Sequence, residues 1–177
     1  MRLLIAIYFT VAVGTNAAGA YYPTLIREQF PERSNFQIGL LSALPPLSAM
    51  LGMILFSTHS DQTGERRWHI IMAALLAAGG WSLSALVSFP ALFLFGLCLA
   101  QTGMMSMLPT FWTLPTSFLS GAAAAGGIAL INSVANIGGF LGPTILGRFG
   151  LWSMVVTLLA GAVLTLAVRP GNSRETG

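Results

Sequence analysis

Between His69 and Arg148 the chain carries no Asp, Glu, Lys or Arg, an uncharged run of 78 residues from Ile70 to Gly147. About 20 apolar residues cross a bilayer as a helix, so this run has room for three crossings. Only 7% of the 177 residues are charged and 55% are hydrophobic, with a mean hydropathy of +0.78, whereas roughly a quarter of a soluble domain is charged. A solvated shell cannot be made from that composition. The chain reads as an all-α membrane protein whose first partner is the lipid bilayer, since a spanning segment must satisfy its backbone polar groups internally.

Breakers and charges divide the sequence into six expected spans, at about 3–22, 38–58, 68–89, 91–114, 122–146 and 151–168, forming one transmembrane bundle over 1–170 with a cytoplasmic tail over 171–177. Pro23 closes the first span and opens a polar loop from Arg27 to Asn35. Pro45 and Pro46 lie inside the second, where the loss of two backbone donors predicts a kink. Pro115 ends the fourth, a small-residue link follows through Ser120 and Gly121, and Gly147 to Gly150 leave room only for a tight turn before the sixth. The first and fourth spans end alike, in Tyr21-Tyr22-Pro23-Thr24 and Phe111-Trp112-Thr113-Leu114-Pro115-Thr116. With six crossings these ends face opposite sides, the arrangement an inverted three-plus-three repeat produces.

The net charge of +3 comes from eight arginines and no lysine, placed in loops or at the termini. That placement speaks against a nucleic-acid partner. Arg2, Arg66, Arg67, Arg169 and Arg174 fall on one side, and Arg27, Arg33 and Arg148 on the other. The excess of basic residues marks the cytoplasmic side, which predicts a multi-pass protein of the plasma (inner) membrane with both termini in the cytoplasm. Met1-Arg2, an apolar run and Ala18-Gly19-Ala20 also fit a cleavable leader, but the run exceeds the 7–15 residues usual there. Cys98 is the only cysteine, so neither a disulfide nor a cysteine metal site is expected.

The most informative segment is the turn from Ser57 to Arg67. Asp61 stands at the negative end of the second span, and Arg66 and Arg67 stand near the positive end of the third, so each opposes its own helix dipole by roughly 0.3–1 kcal/mol. Asp61 is therefore expected to meet an arginine or the N-terminus of another helix. Gly64 lets the chain turn tightly.

Asp61, Gly64 and Arg66 match the signature loop of the major facilitator superfamily, G-x-x-x-D-R-x-G-R-R, while Ser57, Gln62 and Glu65 depart from it, so the loop resembles the degenerate second copy between the eighth and ninth helices. The run from Asp61 to His69 looks like the loop of the anion:cation symporter family, the tartrate and phthalate permeases. Phe111 to Gly121, Ala124 to Ser133 and Asn136 to Pro143 resemble that family's tenth and eleventh helices. The resemblance implies a half-bundle of the major facilitator fold, running from the seventh helix to the twelfth, with an N-terminal six-helix half missing from this chain. It also implies a small organic anion, a tartrate-like carboxylate or sugar acid, as the solute, moved by proton- or cation-coupled alternating access.

Polar residues inside the spans are the pathway candidates. Asn132 and Asn136 are four apart and share a helix face. They either line an aqueous cavity or hydrogen-bond between helices, and the resemblance favours the cavity. Gln101, Asn16, Tyr21 and Tyr22 pose the same choice, and Trp112 is either a gate element or an interfacial anchor. The runs Gly138 to Gly142 and Ala122 to Gly127 are expected at close helix contacts.

Apart from His69 at the very start of the third, none of the expected spans contains Asp, Glu, Arg or His, so the groups that energise transport are expected on the absent half. His59 and His69 look like loop residues. Ser82 lacks the neighbours of a nucleophile, so no catalytic residue, no metal site and no cofactor is expected, and an enzyme is disfavoured. Two alternatives stay open: a small transporter made of two copies of this chain, and an inactive truncated fragment.

Overall fold

The computed structural model describes residues 1–118 and 121–168, with the side chains of 116–118 left aside. The expected tail 171–177, the loop residues Arg169 and Arg174, and Leu119 and Ser120 of the link lie outside the described residues. Seven helices account for nearly all of the rest: α1 (Arg2–Gln29), α2 (Asn35–Ser42), α3 (Leu44–Thr63), α4 (Arg66–Leu86), α5 (Pro90–Phe118), α6 (Gly121–Phe149) and α7 (Leu151–Leu166). Taken together, α2 and α3 make one broken span. Five segments are then long and apolar enough to cross a membrane, and α7 is a shorter apolar helix of 16 residues.

The break falls where the two prolines predict it. Ala43 separates α2 from α3, and Pro45 and Pro46 occupy the first turn of α3, where their missing donors cost least. At its other end α2 begins with a capping box, the Ser34 hydroxyl accepting from the Gln37 backbone N–H and the Gln37 side chain accepting from the Ser34 N–H.

Other prolines did not end helices as the sequence suggested. The first helix continues through Pro23 to Gln29, and the fifth carries both Pro109 and Pro115 inside it. Within a bundle, neighbouring helices and local adjustment tolerate the lost bond. Arg27 and Glu28 are therefore helical, and the Arg27 guanidinium reaches the Arg33 carbonyl at 2.7 Å, tying down the short connection to α2. The turn before α7 is also shorter than expected: Gly147 to Phe149 belong to α6, and Gly150 alone reverses the chain, at φ 70°.

Each long helix buries a stripe set by the 3.6-residue period. On α1 this is Leu4, Ile7, Val11, Gly14, Ala18 and Tyr22, and on α6 it is Gly127, Ile131, Ala135, Gly138, Gly142 and Leu146. Helix α4 packs along α5 and α7, α1 along α6 and α7, and α3 along α5. Exchanging α1 with α5, the α2–α3 span with α6, and α4 with α7 maps this set of neighbouring pairs onto itself. The echo between Tyr21-Tyr22-Pro23 and Phe111 to Pro115 thus has a counterpart in which helices pack together.

Close approach needs small residues. A methyl group on Gly80 would stand 2.3 Å from the Ala100 backbone nitrogen, and one on Gly103 would stand 2.4 Å from the Ala73 carbonyl oxygen. The α1–α6 seam is built the same way, Gly142 facing the Val13 carbonyl and Gly138 the Phe9 ring. By contrast, most of the run from Ala122 to Gly126 is uncovered.

Candidate functional site

The two long segments that bury least of their length are the α2–α3 span and α6. Their outer faces carry Phe36, Leu47, Leu51 and Leu55 on one and Leu130, Ile137 and Phe140 on the other, all exposed. The polar candidates of the spans divide between this uncovered side and the interior.

On the uncovered side lie three amides. Asn132 and Asn136 are exposed on α6, one residue beyond the buried positions Ile131 and Ala135. Gly139 continues the same stripe one turn on, and there the Asn16 amide of α1 lies against α6, so close that a methyl on Gly139 would meet its nitrogen at 2.8 Å. Asn16 is exposed and holds its orientation by donating to the Ala12 carbonyl at 2.9 Å. The α1–α6 seam thus presents Asn16, Asn136 and Asn132 along one face, with each amide able to donate and accept. Tyr21 stands further along the seam, half-buried, its hydroxyl packed on Gly147.

Tyr22 and Gln101 belong to the interior. They are 3% and 5% exposed, and the Tyr22 hydroxyl donates to Gln101 Oε1 at 2.8 Å, joining α1 to α5. The Tyr22 ring lies 6.1 Å from that of Trp81, so a third helix, α4, closes the group. Nothing local in the sequence signals that these two pair, because they are 79 positions apart. Trp112 packs in an aromatic cluster with Tyr8 and Phe111, at ring separations of 4.8 and 5.5 Å.

A second polar group links α3 to α5 just below the break. The Thr102 hydroxyl donates to Ser48 Oγ at 3.1 Å, and Ser48 in turn reaches the carbonyls of Pro45 and Cys98 at 2.8 and 3.2 Å. Small hydroxyl residues in a proline-bearing turn were the available signal. Ser82 is spent within its own helix, donating to the Ala78 carbonyl at 2.8 Å.

At the end of the bundle, the signature-like turn resolves the electrostatic conflict in its sequence. Asp61 forms an ion pair with Arg66, whose guanidinium also donates to Ser60 Oγ at 3.2 Å. Arg67 donates to the Leu166 carbonyl, capping the negative end of α7. Gly64 terminates α3 in the left-handed conformation, at φ 70°, its N–H bonded to the Ser60 carbonyl at 3.0 Å. His59 and His69 are not loop residues: they sit on α3 and α4, where their rings meet. Because the Asp61–Arg66 pair is partly exposed, Asp61→Asn is expected to lower stability by no more than about 1 kcal/mol. An unfolding titration in detergent measures it, and a larger loss would assign the turn a structural weight that an exposed pair does not have.

The fold and the sites together define a polytopic membrane protein, an all-helical half-bundle with a signature-like turn between its second and third spans. The profile of the Major Facilitator Superfamily matches residues 1–143, and the chain belongs to that family. It is 39% identical to a protein of Agrobacterium vitis named "Putative tartrate transporter", over 92% of this chain and 38% of that protein. It is 35% identical to the quinolone resistance transporter of Acinetobacter baumannii, over 98% and 42%. With the inner membrane transport protein RhmT of Escherichia coli it shares 38% identity, over 79% and 32%. These relatives are named as transporters, not as enzymes, and the chain spans about two fifths of the length of the first two.

Proposed function

We propose that this chain forms one wall of a path for small organic anions, tartrate-like carboxylates or sugar acids, working by alternating access against a second six-helix bundle. The observation that carries the reading is the row of exposed amides Asn16, Asn136 and Asn132 along the α1–α6 seam. Amide groups can donate to a carboxylate without the cost of burying a compensating charge. The "Putative tartrate transporter" relative supports the solute class. Coupling to protons or cations then depends on groups of the second bundle, supplied by another chain, by a longer form of this one or by a second copy. The arginine distribution supports insertion in the inner membrane with both termini in the cytoplasm.

Thiol accessibility tests the wall. In a Cys98→Ser background, N132C and N136C are expected to react in membranes with a charged, membrane-impermeant thiol reagent, because the reaction requires water and a thiolate. V163C, exposed on α7, faces lipid in this reading and is expected not to react. Unreactive Asn132 and Asn136 positions would place that face in lipid or in a dry contact and sink the proposal. Proteoliposomes holding this chain alone are expected to take up no tartrate; uptake would favour the two-copy transporter.

A further inference from the structure

His59 Nδ1 and His69 Nε2 lie 2.7 Å apart, with ring centres at 5.0 Å. One ring belongs to the last two turns of α3 and the other to the first turn of α4. The second nitrogen of His69, Nδ1, meets the Glu65 carbonyl. A carbonyl oxygen can only accept, so Nδ1 carries the proton. In the neutral ring the lone pair is then on Nε2, which is the atom turned toward His59. Backbone-carbonyl orientation of the far ring nitrogen is also how proteins commonly fix a metal-ligating histidine.

We propose that His59 and His69 form a labile two-imidazole site for a divalent first-row transition ion, zinc or copper, at this end of the bundle. Two imidazoles on a tetrahedral zinc, with Zn–N of about 2.0–2.1 Å, stand roughly 3.3 Å apart. The rings therefore need to separate by about 0.6 Å from their present contact. Exposure permits this, since His59 is exposed and His69 half-buried. No group of three or more His, Cys, Asp or Glu is placed to hold a metal among the described residues. Water accordingly completes the coordination, and the ion exchanges freely. Imidazole pairs suit zinc, copper and nickel and not magnesium or calcium, which prefer oxygen.

Placement gives the site a consequence. Asp61, Gly64, Arg66 and Arg67 lie between the two histidines in sequence, and Arg67 is bonded to α7. An ion held by His59 and His69 pins the turn across its base and fixes the angle between α3 and α4.

The test is zinc titration of the purified full chain in detergent, followed by calorimetry and by the visible spectrum of cobalt used as a substitute. One ion per chain is expected at concentrations below about 1 mM, with binding lost in both H59A and H69A. Each variant is to be checked for wild-type helix content by circular dichroism and for wild-type elution. Both are surface changes, and H59Q and H69Q serve if an alanine variant does not pass. Retention of the site in either folded single variant, or no binding by the wild-type chain, overturns the proposal. A magnesium titration giving the same heat would also overturn it, since that reports a nonspecific cation effect.

Discussion

Gly80→Ala is expected to destabilise the bundle by about 3 kcal/mol, the upper end of what overpacking usually costs. The added methyl would fall 2.3 Å from the Ala100 nitrogen, 2.5 Å from the Gly96 carbonyl oxygen and 2.8 Å from the Ala100 Cα. All three are backbone atoms, so no side chain can swing aside. Relief requires α4 and α5 to part, and with them the contacts of Gly96 on Ser84 and of Gly103 on Ala73 and Ala77. Without a hydrophobic force between helices in lipid, such close packing is a principal source of their association. Gly79 is the control, since a methyl there meets nothing within 4 Å. Gly79→Ala is expected to be neutral or to gain about 0.5–1 kcal/mol from the better helix former. Unfolding of both variants in mixed micelles measures the pair; equal stabilities would mean that the α4–α5 contact is looser than described.

The second large effect belongs to Tyr22 and Gln101. Gln101→Leu removes the acceptor of a buried hydroxyl, leaving the Leu97 carbonyl, 3.5 Å away, as its alternative. Tyr22→Phe removes the donor and strands Gln101 Oε1. Each is expected to cost about 1–3 kcal/mol, the cost of an unsatisfied buried polar group. Combining them leaves no orphan, so the double variant is expected to lose less than the sum, by about 0.6–1.7 kcal/mol, as interhelical hydrogen bonds in membranes do. A double-mutant cycle by unfolding in micelles gives the coupling. Strict additivity would show that the two side chains do not depend on each other.

The spans were legible because charge is excluded from hydrocarbon, so the uncharged run and its bounding arginines give their number without any knowledge of packing. The kink at Pro45-Pro46 followed from the two missing donors. Helix ends were less legible. Pro23 and Pro115 are breakers in water, yet the helices carry them onward, because the bundle and not the local sequence decides whether the freed carbonyl is tolerated. Asp61 was expected to find a compensating charge or dipole, and it found Arg66 in the same turn. That Arg67 would cap α7 was invisible, since it joins positions 99 apart. The tightest seam was missed: Gly138 to Gly142 carries a recognisable spacing, whereas Gly80, Gly96 and Gly103 belong to two helices and form a motif only in space. Asn16 gave no hint of its place beside Gly139, which depends on how α1 crosses α6.

The break at Ala43 divides the second span into parts with different attachments. Below it, α3 is fastened to α5 through Ser48, Thr102 and the close approach of Gly52 to Thr102. Above it, among the described residues, α2 touches only α1 and α3. Pro45 and Pro46 have no N–H to return to the carbonyls of Leu41 and Ser42, so bending there breaks no ladder bond at those two positions. The two parts of this span are therefore joined by a backbone that owes little to its own ladder at the break, and α2 takes its position from α1, through the buried Ile38 and the Arg27 contact with the Arg33 carbonyl.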